Sequence, residues 1–252
     1  AILTGAFNFI SSLSRKYQFS VTLFLILWAI VSGMIKDPYV IRTTPNETAP
    51  FASRMDIQTY VETWWEDHKT SIYEYGENYP LYFVMSNGGA SRSGYWVAAS
   101  LGRISDETDG HFQQHLFCLS GASGGSVGNA AYFAMLDEDM NLDNYQDNAT
   151  EFLGNDFLSL TLGRMLGSDI FKHLVPIQSI DDRAACLERS MEEPETQHFL
   201  GLKFHDKMSK YVTCAVSDKK ENHLPLLFIN STRTQDGVPG VISTVKLSEE
   251  IY

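Results

Sequence analysis

An α/β fold with a mostly parallel sheet, preceded by an N-terminal hydrophobic helix, is what this sequence predicts, and three observations carry that expectation. Pro80–Ser86 and His115–Ser120 are short continuous apolar runs of the kind that form buried parallel strands, and each ends in a glycine turn. A helical rhythm starts directly after each turn. The order strand, turn, helix therefore repeats, which implies right-handed crossovers between parallel neighbours. Ahead of both runs, no charged residue occurs from Tyr17 to Ile35.

The composition bounds the function. The chain has 252 residues, 44% of them hydrophobic, with 19 Lys plus Arg against 31 Asp plus Glu and a net charge of −12. That length suffices for a sizeable core, and the ordinary balance of residue types excludes a disordered or fibrous chain. No Lys/Arg run exceeds a pair, so the clustered basic face that neutralises phosphates is missing and no nucleic-acid partner is expected. Cys118, Cys186 and Cys214 lie far apart without a CxxC, and they read as buried apolar thiols rather than as disulfides or metal ligands. No metal and no cofactor is expected.

Three regions follow in order. Residues 1–36 form a hydrophobic segment whose uncharged run, at about 1.5 Å per residue, reaches roughly 28 Å and so predicts a transmembrane helix. Arg15-Lys16 on one side are matched by Lys36 and Arg42 on the other, which leaves its orientation open. Residues 37–52, with Pro38, Pro45 and Pro50, form a linker, and 53–252 form the α/β domain. Ser53 three residues before Asp56 suggests a capping box, followed by a helix with Ile57, Tyr60, Val61 and Trp64 on one face. His68 on that helix reads as a partly solvated residue.

The first predicted strand ends at Asn87-Gly88-Gly89, with a helix from Ser93 to about Ile104, and the second at Gly121-Ala122-Ser123-Gly124-Gly125, with a helix to about Leu136. Residues 137–150 read as a solvated acidic loop, since their calcium-like spacing lacks the sixth-position glycine and twelfth-position glutamate. The densely apolar stretch 152–175 suggests core packing, with an interfacial lid as the alternative. Asp181 or Asp182 caps a helix through Met191, Leu224–Asn230 reads as a further buried strand, and Asp236-Gly237 as the turn before an edge strand at Val241–Val245. Asn46, Asn148 and Asn230 sit in glycosylation sequons that fix no compartment.

The chemistry concentrates at the two glycine turns. Gly121-Ala122-Ser123-Gly124-Gly125 satisfies G-x-S-x-G between a strand and a helix, where a sharp turn lifts the serine above the sheet and tolerates only small neighbours. Ser123 then stands at the positive end of the following helix. Asn87-Gly88-Gly89-Ala90-Ser91-Arg92 opens the other helix with unpaired backbone amides suited to an oxyanion, and Arg92 adds charge for a phosphoryl head group. A nucleotide loop would need Gly-Lys-Ser/Thr or a third spaced glycine, and neither is present.

The stretch Ser86–Arg103 followed by Cys118–Gly128 resembles the patatin-like phospholipase family, most closely its membrane-attached members. Glu151–Ser159, Asp182–Glu188 and Leu224–Thr232 are also similar, so the likeness covers roughly residues 80–245. It implies a three-layer α/β/α domain and a Ser/Asp dyad. In that scheme Ser123 is the nucleophile, Gly88, Gly89 and Ala90 form the oxyanion hole, and Gly121, Gly124 and Gly125 shape the nucleophile elbow. Ala90 stands where the family usually has a third glycine. The family's aspartate lies in an Asp-Gly-Gly or Asp-Gly-Ala turn well beyond the strand matched by Leu224–Thr232, and Tyr252 is reached before any such turn, so a domain incomplete at its C-terminus is expected. Asp236, or a triad drawing on His205 or His223 with Asp206 or Asp218, is not selected by spacing, and the base stays unassigned.

The expected function is a serine acyl hydrolase cleaving membrane lipid esters through Ser123, located at a membrane with lipids as its partners. The alternative is a catalytically silent subunit that serves as scaffold or accessory protein to other membrane-protein subunits.

Overall fold

The structure is a computed structural model, which describes residues 2–35, 55–136, 144–169, 182–192 and 224–247. In chain order the elements are helices α1 (Ile2–Tyr17), α2 (Val21–Ile35) and α3 (Ile57–Tyr75), strand β1 (Tyr82–Ser86), helices α4 (Ala90–Glu107) and α5 (His111–Gln114), and strand β2 (Leu116–Ala122). There follow α6 (Gly124–Met135), α7 (Tyr145–Leu153), α8 (Ser159–Leu166), α9 (Arg183–Glu192), and strands β3 (Leu226–Thr232) and β4 (Pro239–Ser243). The chain divides into two units, one of Ala1–Thr43 with Asp156–Met191, the other of Thr44–Asn155 with Glu192–Tyr252. The expected linker at 37–52 lies outside the described residues.

The larger unit carries the sheet, in the order β1-β2-β3-β4. β1, β2 and β3 run parallel, as the βαβα pattern requires, and β4 closes the edge antiparallel to β3. Leu116 through Leu119 are all buried, and because successive strand side chains point to opposite faces, both faces of β2 are covered. β1 departs from the expected buried strand. Among the described residues it pairs only with β2 and so forms an edge strand, and Phe83 and Met85 are 58% and 85% exposed.

Helix α3 packs on the sheet through Tyr60 and Trp64, which share a core with Phe117, Cys118, Leu226 and Val245. The Trp64 and Phe117 rings meet edge to face at 5.3 Å, and the Tyr60 hydroxyl donates to the Leu224 carbonyl at 2.9 Å. Burial pushes the Cys118 thiol up to about 11, in keeping with a buried apolar thiol. Cys186 is likewise buried, and Cys214 lies outside the described residues. The cap of α3 corrects the expectation. Asp56, not Ser53, is the N-cap, accepting from the Thr59 amide at 2.9 Å. The backbone of Met55 to Ile57 is held extended by a bridge to Lys246, so the helix cannot begin earlier. His68 stacks on Trp64 with ring centroids 4.2 Å apart.

Helices α4 and α6 touch through glycines. A β-carbon on Gly128 would fall 2.6 Å from the Gly94 carbonyl oxygen and 2.8 Å from the Val97 Cβ, so the two backbones meet without intervening side chains. Asp106 of α4 accepts from the Tyr145 and Gln146 amides at 2.8 and 2.9 Å and so caps α7 from outside, while Asn144 caps it locally by accepting from Asp147 at 3.0 Å. Residues 145–150 are thus helix rather than solvated loop, and 137–143 lie outside the described residues.

The smaller unit holds α1, α2, α8 and most of α9. Here the transmembrane expectation finds no support. The uncharged run is not one helix: Gln18 turns left-handed at φ 47°, the Ser14 hydroxyl accepts from the Val21 amide at 3.1 Å, and α2 starts afresh with 15 residues. Among the described residues no helix is long and apolar enough to cross a membrane. The core packing expected of 152–175 also fails over α8, which has no buried residue, while Phe152 and Phe157 are buried and 170–181 lie outside the described residues. Asp182 caps α9 as expected, accepting from Ala185 at 2.8 Å.

His115, at the start of β2, is 5% exposed among Tyr75, Tyr79 and Tyr82, and this desolvation holds its imidazole below the usual histidine range. As pH falls below the ordinary value of 6.5, the unfolded chain takes up this proton before the folded one, so the stability conferred by a neutral His115 is present above that pH and lost below it. Urea midpoints measured at about pH 7.5 and about pH 5.5 are expected to drop on acidification, and less so in His115→Gln. Gly128→Ala is expected to cost about 1–3 kcal/mol by overpacking. Gly163→Ala in α8, where an added β-carbon meets nothing within 4 Å, is expected to gain up to about 1 kcal/mol. Denaturant unfolding of both variants checks the opposite signs.

Candidate active site

Two strand-to-helix turns stand side by side at the carboxyl end of the parallel strands, because β1 and β2 pair in a register that sets Ser86 opposite Gly121. Ser123 follows β2 as the residue before α6, with φ 53° and ψ −126°, a conformation costly for any residue but glycine and of order 1–3 kcal/mol here. It is exposed, and its carbonyl accepts from the Ser126 and Val127 amides at 3.0 and 3.3 Å, which fixes it to the first turn of α6.

The expected elbow glycines are each required by a close approach. A β-carbon on Gly121 would fall 2.7 Å from the Ser126 nitrogen, on Gly124 it would overlap the Ala90 carbonyl oxygen, and on Gly125 it would lie 2.5 Å from the Ser86 oxygen and 2.7 Å from the Asn87 oxygen. The second turn lies against the first. A β-carbon on Gly88 would sit 3.0 Å from the Ser123 Cβ and 3.6 Å from its Oγ. Gly89 precedes α4 and Ala90 opens it at φ 54°, so the first amides of that helix, which have no intrahelical acceptor, stand beside the serine turn. Arg92 is exposed on the same first turn, and among the described residues no hydrogen bond or ion pair ties its guanidinium to the elbow.

Four polar side chains that sequence reasoning missed, Asn230, Ser86, Asn129 and Ser93, brace these turns. The Asn230 amide at the end of β3 donates to the Gly121 carbonyl at 2.8 Å and to the Ser120 hydroxyl at 3.0 Å. The Ser86 hydroxyl donates to Asn129 Oδ1 at 2.9 Å, and the Ser93 hydroxyl to the Asn87 carbonyl at 2.6 Å. Asn230 is exposed rather than buried in its strand, because β3 outruns the covered part of the sheet. Its signal in the sequence was a polar triplet closing an apolar strand run.

Asp236 is a turn residue. It is paired with Arg233, whose guanidinium holds the carboxyl below the usual carboxylate range, and it accepts from the Val238 amide at 3.2 Å. Among the described residues no side chain hydrogen-bonds the Ser123 hydroxyl. His205, Asp206, Asp218 and His223 lie outside the described residues. Within those residues no three His, Cys, Asp or Glu side chains converge as metal ligands. No family model, no curated protein and no solved structure matches the chain.

Ala90 at φ 54° carries the left-handed penalty of a β-carbon, so Ala90→Gly is expected to raise stability by about 0.5–1 kcal/mol. Asn230→Ala is expected to lower it by about 1 kcal/mol, since the part-buried Gly121 carbonyl loses its side-chain donor. Thermal unfolding of the two variants checks both signs.

Proposed function

We propose that the protein is a serine acyl hydrolase of the patatin-like type, with the three-layer α/β/α arrangement of that family, acting on lipid esters at a membrane surface. The observation that carries this reading is the conformation of Ser123, exposed in a strained turn at the end of β2 with the backbone of Gly88 against its hydroxyl. The serine attacks the ester carbonyl and expels the alcohol, giving an acyl-enzyme that water resolves. The amides of Gly88, Gly89 and Ala90 receive the negative charge that develops on the carbonyl oxygen, a preorganised interaction of about 3 kcal/mol for each well-placed donor. Arg92 meets the phosphoryl group of the substrate.

The membrane part of the proposal rests on α2. Leu23, Phe24, Ile26, Leu27, Trp28 and Ile30 are exposed over a broad face of that helix, opposite the covered side of Leu25, Ala29 and Ser32, and a lipid surface is the environment that accepts such a face. A second reading, a catalytically silent subunit within a membrane complex, has one observation in its favour: among the described residues the Ser123 hydroxyl has no base beside it. Loss of a base leaves a serine hydrolase slower by several orders of magnitude.

A fluorophosphonate probe separates the readings. Labelling at Ser123 that disappears in Ser123→Ala is the expected result, and an unlabelled, folded protein means the silent subunit. Ile26→Asp with Ile30→Asp is expected to reduce co-flotation with phosphatidylcholine vesicles at least about tenfold, since each charge opposes burial of the helix by about 2–3 kcal/mol.

A further inference from the structure

Asn87 and Gly88 lie in the turn between β1 and α4, and no other asparagine in the chain is followed by glycine. Asparagine is a chemically labile residue, because the backbone nitrogen of the next residue can attack its side-chain carboxamide. Glycine presents that nitrogen with no side chain in the way.

Three features of the structure favour this attack. The Asn87 side chain is exposed, and its carboxamide has no hydrogen bond among the described residues. The Gly88 N–H, the attacking group, lies beyond the last paired residue of β1 and is likewise unbonded among the described residues. The Asn87 carbonyl, which shares a peptide unit with that N–H, accepts from the Ser93 hydroxyl at 2.6 Å. A donor on the carbonyl oxygen stabilises the anion left when the nitrogen loses its proton, and the positive end of α4 favours the same charge. The turn thereby activates its own nitrogen and leaves the target carboxamide untethered.

We propose that Asn87 is a site of self-modification. The Gly88 nitrogen loses its proton and bonds to Asn87 Cγ, the carboxamide nitrogen takes up a proton and leaves as ammonia, and a five-membered succinimide remains. Water then adds to one of the two ring carbonyls and breaks its bond to nitrogen. Attack at the side-chain carbonyl gives aspartate, and attack at the main-chain carbonyl gives isoaspartate. Water is the only co-reactant. Either product sets a carboxylate in the turn that lies against Ser123, where it competes for the Gly88, Gly89 and Ala90 amides that the oxyanion needs. Isoaspartate also lengthens the main chain by one carbon, in a turn so tight that a β-carbon on Gly125 would lie 2.7 Å from the Asn87 oxygen. The loss of Ser123 reactivity rests on the acyl-hydrolase reading, whereas the modification does not.

The full chain, held folded at body temperature in mildly alkaline buffer, tests this by peptide mapping with mass spectrometry, and protein isoaspartate methyltransferase marks the isoaspartate. Conversion at Asn87 is expected to be at least about tenfold faster than at any other asparagine, absent in Asn87→Gln, and slowed at least about threefold in Ser93→Ala. Circular dichroism confirms that each variant is folded. Fluorophosphonate labelling of Ser123 in the same samples is expected to fall in step with the converted fraction, and to hold its starting level in Asn87→Gln. Conversion at Asn87 no faster than elsewhere, or undiminished in Ser93→Ala, overturns the proposal. Labelling that persists in a converted chain, or decays equally in Asn87→Gln, overturns the effect on Ser123. A chain unlabelled from the start overturns the acyl-hydrolase reading and that effect with it, while the mass measurement alone decides the modification, so the two fail separately.

Discussion

The structure turns on one contact made without side chains. The chain after β1 and the chain after β2 leave the sheet at the same level, and their backbones meet where Gly124 and Gly125 face the carbonyls of Ala90, Ser86 and Asn87. A methyl group at either glycine would drive these turns apart. The parallel register of Ser86 with Gly121, the crossing of α4 and α6 at Gly94 and Gly128, and the placing of Ser123 beside Gly88 all presuppose that approach. Because protein interiors are close-packed, a displacement of one turn is passed to the helix behind it. Stability and the candidate chemistry therefore draw on the same few glycines.

Much of this was legible in the sequence for a local reason. Glycine spacing and apolar periodicity within some thirty residues specify a strand, a sharp turn and a helix, and two such units in succession leave few topologies open. What escaped reading was set by partners distant in the chain. Asp56 became a cap because Lys246 holds the preceding backbone extended, and Asn230 became a brace of the elbow because β3 lies beside β2. The apolar runs misled where composition is silent about neighbours. Pro80–Ser86 contains a strand that is an edge among the described residues, with Met85 exposed, and the uncharged run from Tyr17 breaks at Gln18, whose left-handed turn no hydropathy pattern encodes.

The two ends of the sheet differ in electrostatic design. At the carboxyl end, helix starts and unpaired amides gather positive potential around an exposed hydroxyl, as suits a developing oxyanion. At the amino end, Asp67, Glu74, Asp106 and Asp109 line a cavity with Tyr75 and Tyr79, and among the described lining residues there is no lysine or arginine. Parallel strands make this separation natural, since the following helices all begin at one end of the sheet and the returning loops gather at the other.

Cys118 gives the fold a built-in chemical clock. With its thiol held at about 11 in the most covered strand, the reactive thiolate at neutral pH is scarcer than thiol by about 10⁴-fold, and the strand must separate from its neighbours before a reagent can reach the sulfur. The rate of its alkylation in native buffer, read site by site against Cys186 and Cys214, thus reports how often the centre of the sheet opens.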